Sequence, residues 1–135
     1  KKVLDFGTGT GILAILASKL GAQELWAVDN DPQCIENAAE NLELNACGDI
    51  HLRLGDIGNI EVPEYDIILA NITRNVILEF LNVISAHLPK GAYFAASGFY
   101  MPDLALLRPA AIEERLELVH YTEKEEWCAA LFVKK

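Results

Sequence analysis

The residues whose types and spacing carry most chemistry are Asp5-Phe6-Gly7-Thr8-Gly9-Thr10-Gly11. An acidic residue ends an apolar run, and three glycines then alternate with Thr8 and Thr10. Glycine in such a turn permits positive φ and lets a ligand approach the backbone closely. The N–H groups that open the following helix favour electron-rich ligand atoms. The stretch therefore reads as strand, nucleotide-binding turn, helix. Its spacing is not that of the dinucleotide fingerprint, which places glycine at the first, third and sixth positions. Gly7 and Gly9 fit, but the sixth position is Ile12, and the third glycine comes early, at Gly11.

Further polar residues close later apolar runs. Asp29 ends the stretch Glu-Leu-Trp-Ala-Val-Asp, about 20 residues after the glycine loop, where a carboxylate can accept from both ribose hydroxyls. Its other role would be to cap the next helix, but Asp31 before Pro32 is the better cap and first-turn pair. Asp56 follows Gly55 after a third run. Asn71 ends a nearly continuous apolar run that begins at Tyr65. In an open α/β sheet ligands bind beyond the carboxyl ends of the strands, so Asp5, Asp29 and Asn71 would converge on one edge. A buried asparagine that merely satisfies loop backbone is the structural alternative for Asn71, and a plain loop aspartate that for Asp56.

The elements that must position these residues follow from hydrophobic period. Val3 to Phe6 opens as a strand. Ile12, Leu13, Ile15, Leu16 and Leu20 recur at helical spacing up to a glycine stop at Gly21. Residues 32–46 form a second helix with Ile35, Ala38, Ala39, Leu42 and Ala46 inward and Glu36, Glu40 and Glu43 in solvent. Ile50, Leu52 and Leu54 alternate with His51 and Arg53, the pattern of a strand near a sheet edge. The apolar run to Asn71 predicts a central strand covered on both faces. Thr73 can cap a helix whose inner stripe is Val76, Ile77, Phe80, Leu81, Ile84 and Leu88. Residues 93–98 form the fifth strand, and a short helix from about residue 103 is interrupted at Pro109. Runs 116–121 and 127–133 are separated by too few residues for a crossover helix, so they pair as antiparallel neighbours.

Composition bounds the function. The 135 residues suffice for one domain with a real core, and at 52% hydrophobic they argue against disorder. No apolar run approaches the roughly 20 residues of a membrane span. A net charge of −9 argues against direct nucleic-acid binding, which needs clustered Lys and Arg, and is compatible with a basic protein substrate. Cys34, Cys47 and Cys128, like the three histidines, have neither disulfide nor metal-ligand spacing, which suits reduced thiols in a cytoplasmic protein with no metal site.

Asp5-x-Gly7-x-Gly9-x-Gly11 resembles the glycine loop of class I S-adenosylmethionine methyltransferases. Together with Asp29-Asn30-Asp31-Pro32, Glu40-Asn41, Leu44-Asn45, Ala70-Asn71-Ile72, Ser97-Gly98 and Glu126-Trp127, the chain resembles the ribosomal protein L-eleven methyltransferase (PrmA) family over almost its whole length. The resemblance implies an α/β fold, a Rossmann-like three-layer sandwich with a mostly parallel seven-stranded sheet and a C-terminal antiparallel hairpin. It implies that residues 1–135 are the catalytic domain, without the family's N-terminal substrate-recognition domain and its cofactor-contacting linker. It implies S-adenosylmethionine as cofactor, with Gly7, Asp29 and Asn71 on family cofactor-binding positions; Asp5, Thr8, Gly9, Gly11, Asn30 and Asp56 are read as further cofactor-binding residues beside them. Asp56 would lie near the adenine amino group, and Asn71 would also orient the acceptor amine. The partner implied is ribosomal protein L-eleven, methylated on lysine and α-amino groups.

Two other readings are a small-molecule or RNA methyltransferase of the same fold, and a cofactor-binding domain without catalysis of its own. An NAD-dependent oxidoreductase is opposed by the glycine spacing and by the terminal hairpin.

Overall fold

A computed structural model describes residues 1–60 and 62–135. The strands are β1 (Lys2–Phe6), β2 (Glu24–Asp29), β3 (His51–Leu54), β4 (Ile67–Asn71), β5 (Tyr93–Tyr100), β6 (Leu116–Lys124) and β7 (Trp127–Lys134). The helices are α1 (Ile12–Lys19), α2 (Pro32–Leu44), α3 (Arg74–Ala86) and α4 (Leu104–Glu113). One seven-stranded sheet runs in the order β3-β2-β1-β4-β5-β7-β6. The first five strands are parallel, and β7 lies antiparallel between β5 and β6. This is the expected α/β sandwich with a C-terminal hairpin.

Side-chain alternation along the strands divides the core between the two sheet faces. On one face Leu4, Val28, Ile68, Phe94 and Phe132 pack with Ile77, Leu81 and Ile84 of α3 and Leu107 of α4. On the other, Val3, Leu25 and Ala27 pack with Ala14 of α1 and Leu42 of α2. The parallel register carries the strand ends to one edge. Phe6 is level with Val28 and with Ala70, Asp29 with Leu54, and Asn71 with Ser97. The turns after β1, β2, β3 and β4 therefore stand side by side.

Several local expectations are corrected. The apolar face of α1 is only partly covered: Ala14 is buried, while Ile12, Leu16 and Leu20 are exposed. β4 is central, yet its Ile67 and Leu69 are only half-buried on the α1 side, where they meet the edge of the cluster built on Ala14. With Leu13, Leu16 and Leu20 they line an apolar groove. α2 ends at Leu44, short of the expected residue 46; Ala39 faces solvent, as does Ala46 beyond the helix with left-handed backbone at φ 56°, and Cys47 is buried instead. Thr73 stands at the N-cap of α3 but its side chain makes no capping bond.

Pro109 does not interrupt α4. It sits on the solvent side with Ala105, four residues earlier, so the carbonyl that loses its partner faces water. Burial of Leu104, Leu107 and Ala111 holds the helix together. The hairpin is tighter than the polar gap suggested. Glu125 and Glu126 both take left-handed backbone, φ 52° and 73°, and make a two-residue turn of the handedness that matches strand twist.

Candidate functional site

The glycine loop is fixed mostly by its own backbone. Gly7 and Thr8 N–H both donate to the Val28 carbonyl, at 2.8 and 2.9 Å, and Gly11 N–H donates to the Thr8 carbonyl at 2.9 Å. Gly9 N–H donates to Asp29 Oδ2 at 2.9 Å. Asn41, on α2, donates its side-chain amide to the Thr10 carbonyl at 2.9 Å and ties the loop to that helix. Four of the loop's N–H groups are thus spent inside the protein. The expected array of donors facing a ligand is correspondingly thinned, and a pyrophosphate, which needs such donors, is poorly served.

All three glycines have positive φ, but for different neighbours. A Cβ on Gly7 would stand 2.6 Å from Ile72 Cγ2, so glycine there lets the loop abut the end of β4. A Cβ on Gly11 would meet Ala38 at 3.4 Å, where α1 and α2 cross. At Gly9 a Cβ would meet nothing within 4 Å, and this is the glycine that leaves an open surface.

Asp29 accepts from Gly9 N–H through Oδ2 and from Asp31 N–H through Oδ1, at 2.9 and 3.0 Å. Asp31 caps α2 by accepting from Gln33 N–H at 2.9 Å, as its place before Pro32 suggested. Each Asp29 oxygen keeps a second lone pair for a ribose hydroxyl. Asn30 is exposed beside it. Asp56, half-buried after β3, accepts from Gly58 N–H at 2.8 Å and so shapes its own turn. The open face at Gly9, the oriented Asp29 carboxylate and the internally satisfied loop fit an adenosyl group carrying an amino-acid tail better than a dinucleotide.

Asp5 and Thr8 lie beneath the loop. Asp5 is fully buried, and its Oδ2 accepts from the Thr8 hydroxyl at 2.7 Å, while among the described residues no donor meets Oδ1 with hydrogen-bond geometry. The Thr8–Asp5 hydrogen bond holds the loop's shape from within. Burial pushes the Asp5 carboxyl up from its ordinary 3.8 to about 6, against opposing pulls from the Thr8 hydroxyl and the nearby Ala14 N–H, with the charge of Asp29 adding the smallest push. The folded state then holds a proton that the unfolded chain releases between about pH 4 and 6. Stability from this group therefore falls as pH rises through that window, and is about 3 kcal/mol lower above it. Denaturant unfolding of wild type and Asp5→Asn checks this. Wild type gains on the variant by about 2–3 kcal/mol as pH is lowered from 7 to 4. Parallel stability curves would remove the assignment.

Asn71 is exposed, and among the described residues its amide has no hydrogen-bond partner. The structural alternative, a buried asparagine satisfying loop backbone, does not hold. The amide opens into a cleft of about 600 Å³ lined by Asn71, Thr73, Ser97, Gly98, Thr122 and Trp127, among others. Trp127 is half-exposed and stacks on Tyr100, ring centroids 4.3 Å apart. Arg74, the first residue of α3, pairs with Asp103 at 2.9 Å and fixes the turn after β4 to the segment after β5. The structure thus brings Gly9 to Asp29, and Gly7 to the residue after Asn71. Asp29, Asn30 and Asp56 do not line the cleft. Sequence reasoning missed Asn41 as a support of the loop and Thr122 as part of the cleft wall. For Asn41 the signal was its place on α2 facing a loop it could reach; Thr122 had none.

The comparisons agree with this geometry. A family model described as Ribosomal protein L11 methyltransferase (PrmA) matches residues 1–135. A protein of that name from Phocaeicola vulgatus is 40% identical over 136 residues, covering 100% of this chain and 48% of its own length. One from Porphyromonas gingivalis is 42% identical over 132 residues, covering 97% and 46%. The chain spans about half the length of the curated relatives it matches. The crystal structure of a ribosomal protein L11 methylase from Lactobacillus delbrueckii subsp. bulgaricus superposes with a TM-score of 0.94 at 30% identity, covering 98% of this chain and 69% of that one. With the whole chain matched, and a glycine loop, acidic strand ends and a terminal hairpin in the places described, this chain belongs to the ribosomal protein L11 methyltransferase (PrmA) family.

Proposed function

We propose that this chain is the S-adenosylmethionine-binding, methyl-transferring domain of a protein N-methyltransferase that acts on lysine and α-amino groups of ribosomal protein L11. The observation that carries the proposal is the position of Asn71. The next residue, Ile72, packs on Gly7 of the glycine loop, while the Asn71 amide stands in the wall of a cleft with no hydrogen-bond partner among the described residues. One polar side chain thus stands between the candidate cofactor surface and a space for an acceptor. A net charge of −9 favours a basic protein over RNA in that space. Among the described residues no helix is long and apolar enough to cross a membrane; a cytoplasmic setting, where ribosomal proteins are made, fits the proposed substrate.

Bound S-adenosylmethionine supplies a methyl group on a good leaving group. The chain's task is alignment and exclusion of water. Asp29 and Gly9 hold the adenosyl end, the loop keeps its shape through Asp5 and Thr8, and Asn71 orients the amine. The acceptor must be neutral at the moment of transfer, because an ammonium has no lone pair, and a free lysine has a pKa of about 10.4. Among the described residues the cleft is lined by no carboxylate or imidazole; its titratable lining is Lys124 and Cys128, and burial pushes the Cys128 thiol up, which keeps it protonated. The Asn71 carbonyl oxygen and neighbouring backbone carbonyls accept the amine's N–H and aim its lone pair.

Calorimetry with S-adenosylhomocysteine and NAD tests the cofactor, and transfer of labelled methyl to purified ribosomal protein L11 and to ribosomal RNA tests the substrate. Binding of S-adenosylhomocysteine in about the micromolar range, none of NAD, and label on lysine and the α-amino group are expected. Binding of NAD alone, or label in RNA alone, would overturn the proposal.

A further inference from the structure

We infer that Gly98 is a positioning residue for methyl transfer: its left-handed backbone, at a bulge in β5, is what seats the Asn71 amide in the cleft. The inference rests on the proposed reaction only for its effect on rate. β5 pairs with β7 regularly through Ser97 and Ala129, and pairing resumes at Phe99 and Cys128. Gly98 is the extra residue, with φ 89°. Bulges re-aim the strand locally and are common beside active sites. Here the bulge presses the Gly98 backbone against the end of β4. A Cβ at Gly98 would stand 2.5 Å from Asn71 Oδ1 and 3.1 Å from both Ile72 N and Ile72 O. The β4–β5 ladder ends at the same place, with Ile72 N–H donating to the Ser97 carbonyl at 3.1 Å. With no hydrogen bond from another described residue to hold the Asn71 amide, the space left by Gly98 decides where Oδ1 lies.

Gly91 separates this role from backbone strain. Its φ is 88°, almost the same, but a Cβ there would meet nothing within 4 Å. Gly91→Ala therefore carries the strain of a left-handed alanine without the crowding, and lies outside the site.

The test compares Gly98→Ala with Gly91→Ala by the side-chain amide resonances of Asn71, identified by their loss in Asn71→Ala, and by steady-state kinetics. Gly91→Ala leaves those resonances and kcat unchanged. Gly98→Ala shifts the resonances and lowers kcat about 10- to 100-fold, with KM for the cofactor within about threefold. In the Asn71→Ala background it lowers kcat by less than about threefold further, because the residue it acts through is gone. Unmoved Asn71 resonances, or losses that multiply in the double variant, would overturn the inference. Should Gly98→Ala fail to give a dispersed spectrum, Asn71→Gly in the same chain removes the crowded oxygen and restores one; a spectrum that stays collapsed also overturns it. If wild type transfers no methyl, the resonance comparison still decides the positioning, and the proposed reaction is what has failed.

Discussion

Asp29→Ala is expected to weaken S-adenosylhomocysteine binding about 100- to 1,000-fold while the chain stays folded. Both carboxylate oxygens are already oriented, one by Gly9 N–H and one by Asp31 N–H. The group is thus held by the turns after β1 and β2 and need not reorganise if an adenosyl group binds between them, as proposed. Each oxygen has a lone pair left for one ribose hydroxyl. Hydrogen bonds to a charged acceptor contribute about 1.5–3 kcal/mol each; two at the lower end of that range amount to about 3–4 kcal/mol, and every 1.4 kcal/mol is tenfold in affinity. Asp29→Asn is not a gentle control. An amide presents one oxygen and one NH2, so one of the two backbone N–H donors would face a donor. The asparagine variant therefore also binds poorly and misplaces the loop. Calorimetry on both variants, with a thermal melt to show that each is folded, reads the result. Affinity within threefold of wild type in Asp29→Ala would remove the ribose role.

Three glycines that look alike in the sequence do three different things, and this marks where sequence reading stops. The loop itself is legible because alternation with threonine after an apolar run demands a turn. Why each glycine is required is not, because the neighbours that exclude a side chain come from elsewhere: Ile72 beyond β4 for Gly7, and Ala38 on α2 for Gly11. The same holds for Asn71. Its place at the end of an apolar run was readable, and so was its edge of the sheet. Its exposure, and the Gly98 backbone that a bulge in β5 sets against its Oδ1, are announced by no periodicity. The helix α1 shows the complementary limit. Its apolar spacing correctly specified a helix, but spacing cannot say what covers a face, and Leu16 and Leu20 remain exposed. Pro109 sits within α4 without breaking it, because a proline on the solvent side of a helix leaves its orphaned carbonyl to water, and which side it occupies is set by packing. The antiparallel hairpin was legible from gap length alone, while its turn was not, since neither Glu125 nor Glu126 is a residue that advertises left-handed backbone.

Asn71→Ala is expected to lower kcat for methyl transfer about 100-fold or more, with S-adenosylhomocysteine affinity changed less than tenfold. Loss of an orienting group costs rate because a misplacement of about 1 Å at the reacting atoms is enough for a factor of 10². The affinity change is smaller because Asp29 and the loop stay in place. Asn71→Asp distinguishes orientation from base catalysis. If the position needed a base, a carboxylate would speed the reaction near neutral pH. If its part is to aim an amine that must already be neutral, a carboxylate works against it. An opposite charge within a few ångströms favours the ammonium and raises its pKa above about 10.4, so the neutral fraction at pH 7–8 falls. The aspartate variant should then be slower than wild type at neutral pH and should recover as pH rises, its rate profile displaced to the alkaline side. Initial rates from pH 7 to 10 on wild type and both variants decide the matter. An aspartate variant at least as fast as wild type at pH 7, or an alanine variant at full rate, would take the orienting role away from Asn71.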